Sequence, residues 1–107
     1  MSTAYVIATT DNVATLLSDS SSAEVRLLGA GEGSAPVHCA QPIPRGQKMA
    51  LANIPKGADI IKFGASIGTA TADIPKGTLV HLHNMASNYT VEENGEQPIT
   101  SFEYKVY

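Results

Sequence analysis

Apolar residues along the chain fall in short runs, and several of those runs alternate with polar positions at a period of two rather than 3.6. Ala4-Tyr5-Val6-Ile7-Ala8 reads as an opening strand, and Glu24-Val25-Arg26-Leu27-Leu28 alternates as a half-buried strand does. Asp11-Asn12-Val13-Ala14-Thr15-Leu16-Leu17 fits neither period cleanly and suits a strand or a short helical turn. Val37-His38-Cys39-Ala40 is a further short run. Lys48-Met49-Ala50-Leu51, Ala58-Asp59-Ile60-Ile61-Lys62-Phe63 and Thr78-Leu79-Val80-His81-Leu82-His83 are each predicted to extend. At the far end, Phe102, Tyr104 and Val106 share one face of a strand.

Punctuation between the runs is regular. Ile43-Pro44-Arg45-Gly46, Ile54-Pro55-Lys56-Gly57 and Ile74-Pro75-Lys76-Gly77 repeat one pattern: apolar, proline, basic, glycine. That pattern predicts tight turns, with proline setting φ at the second position, glycine leaving through the left-handed region and the basic residue exposed at the tip. Gly64 and Gly68, flanking Ala65-Ser66-Ile67, predict a hairpin reversal or a bulge where backbones approach. Residues 18–22 read as a polar loop, and residues 29–34 as a glycine-rich loop or hairpin. Glycines at every second position there do not match the dinucleotide fingerprint, and no helical pattern follows. The class predicted is all-β, a small barrel or sandwich.

Length and charge narrow the functions available. A chain of 107 residues holds one domain. At this size folding buries about 60–65% of the unfolded surface, so a deep pocket needs a partner to close it. The net charge is −3, from 7 Lys+Arg against 10 Asp+Glu. There is no basic run, which argues against nucleic acid, and no apolar stretch near the roughly 20 residues of a spanning helix, which argues against a membrane. Met1-Ser2-Thr3-Ala4-Tyr5 lacks the positive start of a secretory signal, and the expectation is a cytoplasmic protein. Cys39 is the single cysteine, expected as a small buried hydrophobe. Glu92-Glu93-Asn94-Gly95-Glu96 precedes the aromatic end, a tail that either closes the sheet or pairs with another chain, including a second copy.

The sharpest candidate chemistry is His81-Leu82-His83-Asn84. In an extended strand, residues i and i+2 project from one face about 6.5–7 Å apart. Two imidazoles so placed converge on a metal ion or a carboxylate and titrate near neutral pH, which makes His81 and His83 the candidate catalytic and metal-ligating residues. A closed metal site needs at least one more donor. Asn84 offers an amide to a hydroxyl or a bound water, and Lys48 or Lys62 offers a cation to a carboxylate; exposed histidines and lysines of this kind are otherwise ordinary surface residues. His38 is a further imidazole that the sequence does not place. Ser66 has no nucleophile context.

Residues 45–85 resemble the SAF domain that opens the altronate and galactarate dehydratase family. The resemblance runs through Arg45-Gly46-x-Lys48-x-Ala50-Leu51, Ile54-x-Lys56-Gly57, Ile60-Ile61-Lys62-Phe63-Gly64, Ile67-Gly68-x-Ala70, Asp73-Ile74-x-Lys76-Gly77 and His81-x-His83-Asn84. Asp11-Asn12-Val13-Ala14 is similar to the family's opening segment, so coverage is roughly residues 4–86. The resemblance implies a β-clip, SAF-like fold for residues 1–87; residues 88–107 are then a C-terminal extension, whose alternation suits a docking strand as well as closure of the sheet. It further implies a small subunit of a hydro-lyase acting on a sugar acid such as altronate or galactarate, with a large catalytic subunit completing the site. The reaction takes a proton from the carbon beside the carboxylate and expels hydroxide, so it needs a base near neutral pKa and stabilisation of enolate-like charge. A divalent metal, iron or manganese, is expected mainly on the large subunit. Two other roles occur among similar proteins: the small subunit of a sulfolactate sulfo-lyase, and a non-catalytic SAF module that binds a carbohydrate or a partner. Gln47 stands where many of the dehydratases have His, and Phe63 where Tyr is common.

Overall fold

A computed structural model describes residues 2–20 and 23–88. Its elements are strands: β1 (Ser2–Val6), β2 (Val13–Leu16), β3 (Glu24–Gly29), β4 (Val37–His38), β5 (Lys48–Ala50), β6 (Asp59–Lys62), β7 (Ala65–Ala70), β8 (Leu79–Val80) and β9 (Met85–Ser87). The all-β, SAF-like class read from the sequence is the class observed. Among the described residues no helix is long and apolar enough to cross a membrane.

The strands form a six-stranded sheet, ordered β4-β3-β1-β2-β5-β8, and a three-stranded sheet, ordered β6-β7-β9. Neighbours run antiparallel except β1 and β3, which are parallel. The larger sheet curls. Ala40, just past β4, donates its N–H to the Gly77 carbonyl at 2.9 Å, and the Leu79 N–H donates to Gln41 Oε1 at 2.9 Å. The two edges of that sheet are thereby drawn together.

The ambiguous run at 11–17 is a strand, and its missing period has a physical cause. Ala14 and Leu16 face one core with Ala4, Val6, Val25, Leu27 and Met49. Val13 faces the other, with Ala50, Ile60, Ile67, Val80 and Met85, between the two sheets. A strand covered on both faces loses its polar alternation.

The three proline–glycine corners exist, shifted by one residue from expectation. Each closes by a hydrogen bond from the residue after glycine to the proline carbonyl: Gln47 to Pro44 (3.1 Å), Ala58 to Pro55 (3.0 Å) and Thr78 to Pro75 (3.2 Å). Proline therefore takes the first turn position and the basic residue the second. The glycine, at φ near 90° in each case, takes the third, as a type II turn requires. The isoleucines anchor the corners: Ile43, Ile54 and Ile74 are 1–2% exposed. An Asx side chain caps each tip, Asp19 on the Arg45 N–H, Asp73 on Lys56 and Asn53 on Lys76, all at 2.9 Å. Because Ile54 and Ile74 also exchange two backbone bonds of 2.8 Å, the second and third corners brace each other reciprocally.

Both options offered for the Gly64–Gly68 region occur. Phe63 and Gly64, at φ 62° and 72°, make the reversal between β6 and β7, and a register shift lies at Ile60/Ile61. Asp11 and Asn12 fasten this hairpin to the larger sheet. The Asp11 carboxylate accepts the N–H groups of Ala8 (3.0 Å), Phe63 (3.2 Å) and Gly64 (2.8 Å). Asn12 accepts from the Ile61 N–H at 2.7 Å and donates to the Asp59 carbonyl at 2.9 Å.

One strand is shorter than expected. Of residues 78–83 only Leu79–Val80 extends, and residues 81–84 form a turn in which the Asn84 and Met85 N–H groups both bond the His81 carbonyl at 3.0 Å. Strand β9, three residues long, carries no clear alternation in sequence. Asn88 is tied to β7 through the carbonyls of Ile67 and Ser66, each at 2.9 Å. The tail strand at Phe102, Tyr104 and Val106, with its docking and self-pairing roles, lies outside the described residues.

Candidate functional site

Two lysines sit where the strands should hold apolar residues. On β5, Lys48 and Ala50 point the same way, and Ala50 belongs to the core between the sheets. On β6, Lys62 shares its face with Ile60, a member of the same core. Lys48 is 2% exposed and Lys62 6%. Each therefore ends a core-facing row, one from each sheet, at the seam where the second sheet stops covering the first. The cross-strand register continues the picture: Tyr5 opposes Thr15, Thr15 opposes Lys48, and Lys48 opposes Val80. That row runs from half-exposed Tyr5 to buried Val80, with Lys48 where cover begins.

Burial is the main reason the Lys48 ammonium is disfavoured; the nearby Lys62 charge adds to it, and together they bring Lys48 from 10.5 down to about 8. Lys62 is also lowered by burial, a fall opposed by the Asp11 carboxylate. His81 follows Val80 directly. Its pKa lies below the usual imidazole value, first through partial burial, then through the charges of Lys48 and His83. These dependences bring Lys48, Lys62, His81 and His83 into one electrostatic neighbourhood, with Asp11 at its edge.

The histidines are not arranged as the sequence suggested. The two-residue alternation that would align His81 and His83 on one strand face ends at Val80. Asn84 causes this: its Oδ1 accepts the His81 N–H at 2.9 Å and its Nδ2 donates to the Leu79 carbonyl at 2.8 Å, which folds the chain into a turn. The Asn84 amide thus holds the histidine turn in shape. His38 goes elsewhere, with Nδ1 3.2 Å from Glu24 Oε2.

Among the described residues no group of three or more His, Cys, Asp or Glu side chains is placed to hold a metal ion. Two neighbouring ammonium groups further disfavour a cation. The charge pattern suits an anion.

Apolar residues surround this basic seam. Phe63 (54% exposed) stands at the β6–β7 tip with the Lys62 Nζ 5.1 Å from its ring centroid, and Leu82 (56%) tops the histidine turn. Phe63 occupies the left-handed region, which costs a residue with a Cβ about 1–2 kcal/mol. The alternations Lys48/Ala50 and Ile60/Lys62 put both lysines on core-facing rows.

An all-β module with a buried lysine pair and a histidine turn at one seam is the class that the geometry defines. The profile of the altronate/galactarate dehydratase SAF domain matches residues 3–88, and the chain belongs to that family. It is 52% identical over 48 residues to an altronate dehydratase of Escherichia coli (strain K12), a stretch covering 45% of this chain and 10% of that protein. It is 44% identical over 46 residues to an altronate dehydratase of Bacillus subtilis (strain 168), covering 43% of this chain and 9% of the relative. The matched stretch thus spans about a tenth of the length of these curated relatives.

Proposed function

We propose that this chain is the small subunit of a hydro-lyase that dehydrates a sugar acid such as altronate or galactarate, and that a large catalytic subunit completes the active site. The carrying observation is the family match across residues 3–88, joined to relatives named altronate dehydratases. In this reading the Lys48 and His81 seam faces the substrate and the large subunit. Lys48 binds the sugar-acid carboxylate. His81 and His83 handle the proton next to it, with His81 kept neutral and so able to accept a proton at pH 7. Asn84 positions His81 and need not touch the substrate. A divalent metal, iron or manganese, belongs in this reading mainly to the large subunit.

The test is double substitution of His81 and His83 by Gln in the complex with the large subunit. Loss of turnover with assembly intact supports the reading. Unchanged turnover favours a second one, a non-catalytic module binding a carbohydrate or partner, to which the break in histidine alignment lends support. Sulfite release from sulfolactate by the same complex would instead indicate the sulfo-lyase.

A further inference from the structure

We propose that one mouth of the curled six-stranded sheet, beneath the glycine-rich loop that follows β3, binds a small aliphatic carboxylate, its hydrocarbon on an apolar floor and its charge on Lys76. The site lies apart from the histidine turn and does not rest on the dehydratase reading.

The curl of the larger sheet leaves a cavity of about 330 Å³ at one end. Its floor is aliphatic: Val6 from β1, Leu27 from β3, Val37 from β4 and Leu51 just past β5. The first three belong to the core inside the curl, and Leu51 is half-buried against them. The loop lies directly over this floor. A Cβ added at Gly31 would stand 2.8 Å from Leu27 Cβ and 2.9 Å from Val6 Cγ2, so glycine is what lets the backbone come this close. Hydrogen bonds from the Ala30 N–H to the Val6 carbonyl (2.8 Å) and from the Ser34 N–H to the Gly31 carbonyl (3.1 Å) hold the loop in place.

Polar groups stand at the rim. Thr9, Ser34 and Lys76 line the cavity and are exposed, and among the described residues their side chains have no hydrogen-bond or ion-pair partner. The third corner positions Lys76: its N–H donates to Asn53 Oδ1 and the Gly77 N–H donates to the Ala50 carbonyl, both at 2.9 Å. The backbone is thus fixed while the ammonium stays within reach of a solute. Asp11 also lines the cavity, but its oxygens already accept three backbone N–H groups, and its charge repels a dianion more than a monoanion. One cation flanked by two hydroxyls therefore suits a singly charged acid, whose two oxygens accept from the ammonium and a hydroxyl together. Among the described residues no aromatic ring lines the cavity for a nucleobase to stack on. Branched aliphatic walls take a branched aliphatic chain.

The experiment uses the full chain, isotope-labelled at Leu and Val methyl groups, followed by NMR during titration with 4-methylpentanoate. The neutral isostere 4-methylpentanamide and sodium acetate are the comparisons. With 4-methylpentanoate the methyl signals of Val6, Leu27, Val37 and Leu51 should shift and saturate, whereas acetate, which lacks the branched chain, should leave them still. The acid should bind about threefold or more tighter than the amide at low salt, and the gap should close as salt screens the ammonium. Lys76→Gln should erase that preference while amide binding persists, and Lys76→Arg should keep it. Both variants retain the backbone bond to Asn53, and an unmoved Val13 methyl signal in the other core reports an intact fold. Failure to saturate, equal affinity for acid and amide, a preference that survives Lys76→Gln, or shifts centred on Leu82 in the histidine turn would each overturn the site.

Discussion

Replacing Lys48 by Met should make the protein more stable, and the gain should depend on pH in a set direction. Lys48 is 2% exposed and its pKa falls from 10.5 in the unfolded chain to about 8 when folded. The folded state thus binds that proton less readily than the unfolded state. Below pH 8 the full penalty applies, about 3 kcal/mol from the pKa difference. Between pH 8 and 10.5 it fades, so wild-type stability rises across that window. Met keeps most of the buried stem and drops the charge. Some stem and amine contacts are lost with it, so a net gain of about 1–3 kcal/mol at pH 6.5 is expected. For a chain of this length that is about 5–12 °C in Tm. Guanidinium unfolding of both proteins at pH 6.5, 8 and 9.5 is the assay, and the two curves should converge towards the alkaline end. A variant equally destabilised at all three pH values would refute the reasoning, because Lys48 would then be a stabilising partner rather than a strained cation.

Three further outcomes follow. The His81 imidazole should titrate below the usual value by NMR, and Lys48→Met should move its midpoint upward, since Lys48 is among the charges that depress it. Asp11→Ala removes three N–H acceptors from the hairpin staple and should cost about 2–4 kcal/mol in chemical denaturation. Gly77→Ala and Gly57→Ala should differ although both glycines have positive φ: at Gly57 nothing lies near an added Cβ, and the cost is the backbone's alone, about 1–2 kcal/mol. At Gly77 the added methyl overlaps the His38 carbonyl oxygen, and a loss of at least about 3 kcal/mol should appear in the same assay.

Much of the fold is local in origin and was legible for that reason. The Ile-Pro-basic-Gly corners carry their own turn chemistry, and the runs between them are short and rich in β-formers. The Asx caps were not legible: Asn53 and Asp73 each precede an Ile-Pro pair, but each caps the other's corner, a tertiary fact. The site was harder to read. His81 and His83 resemble a strand pair until Asn84 turns its amide back onto the His81 N–H, and no alternation rule anticipates that. The lysines mislead in the opposite way. Lys in a short strand reads as a solvated residue, and only the seam between two sheets, a contact between segments distant in sequence, makes Lys48 and Lys62 buried neighbours.

The account stands most directly on a reconstitution titration: a fixed amount of the large dehydratase subunit, increasing amounts of this chain, and the initial rate of 2-oxo acid formation from altronate or galactarate. The rate should rise and saturate at a fixed ratio of the two chains, and should fail to rise with the His81, His83 double variant. A large subunit that turns over at full rate alone, indifferent to added chain, would contradict it.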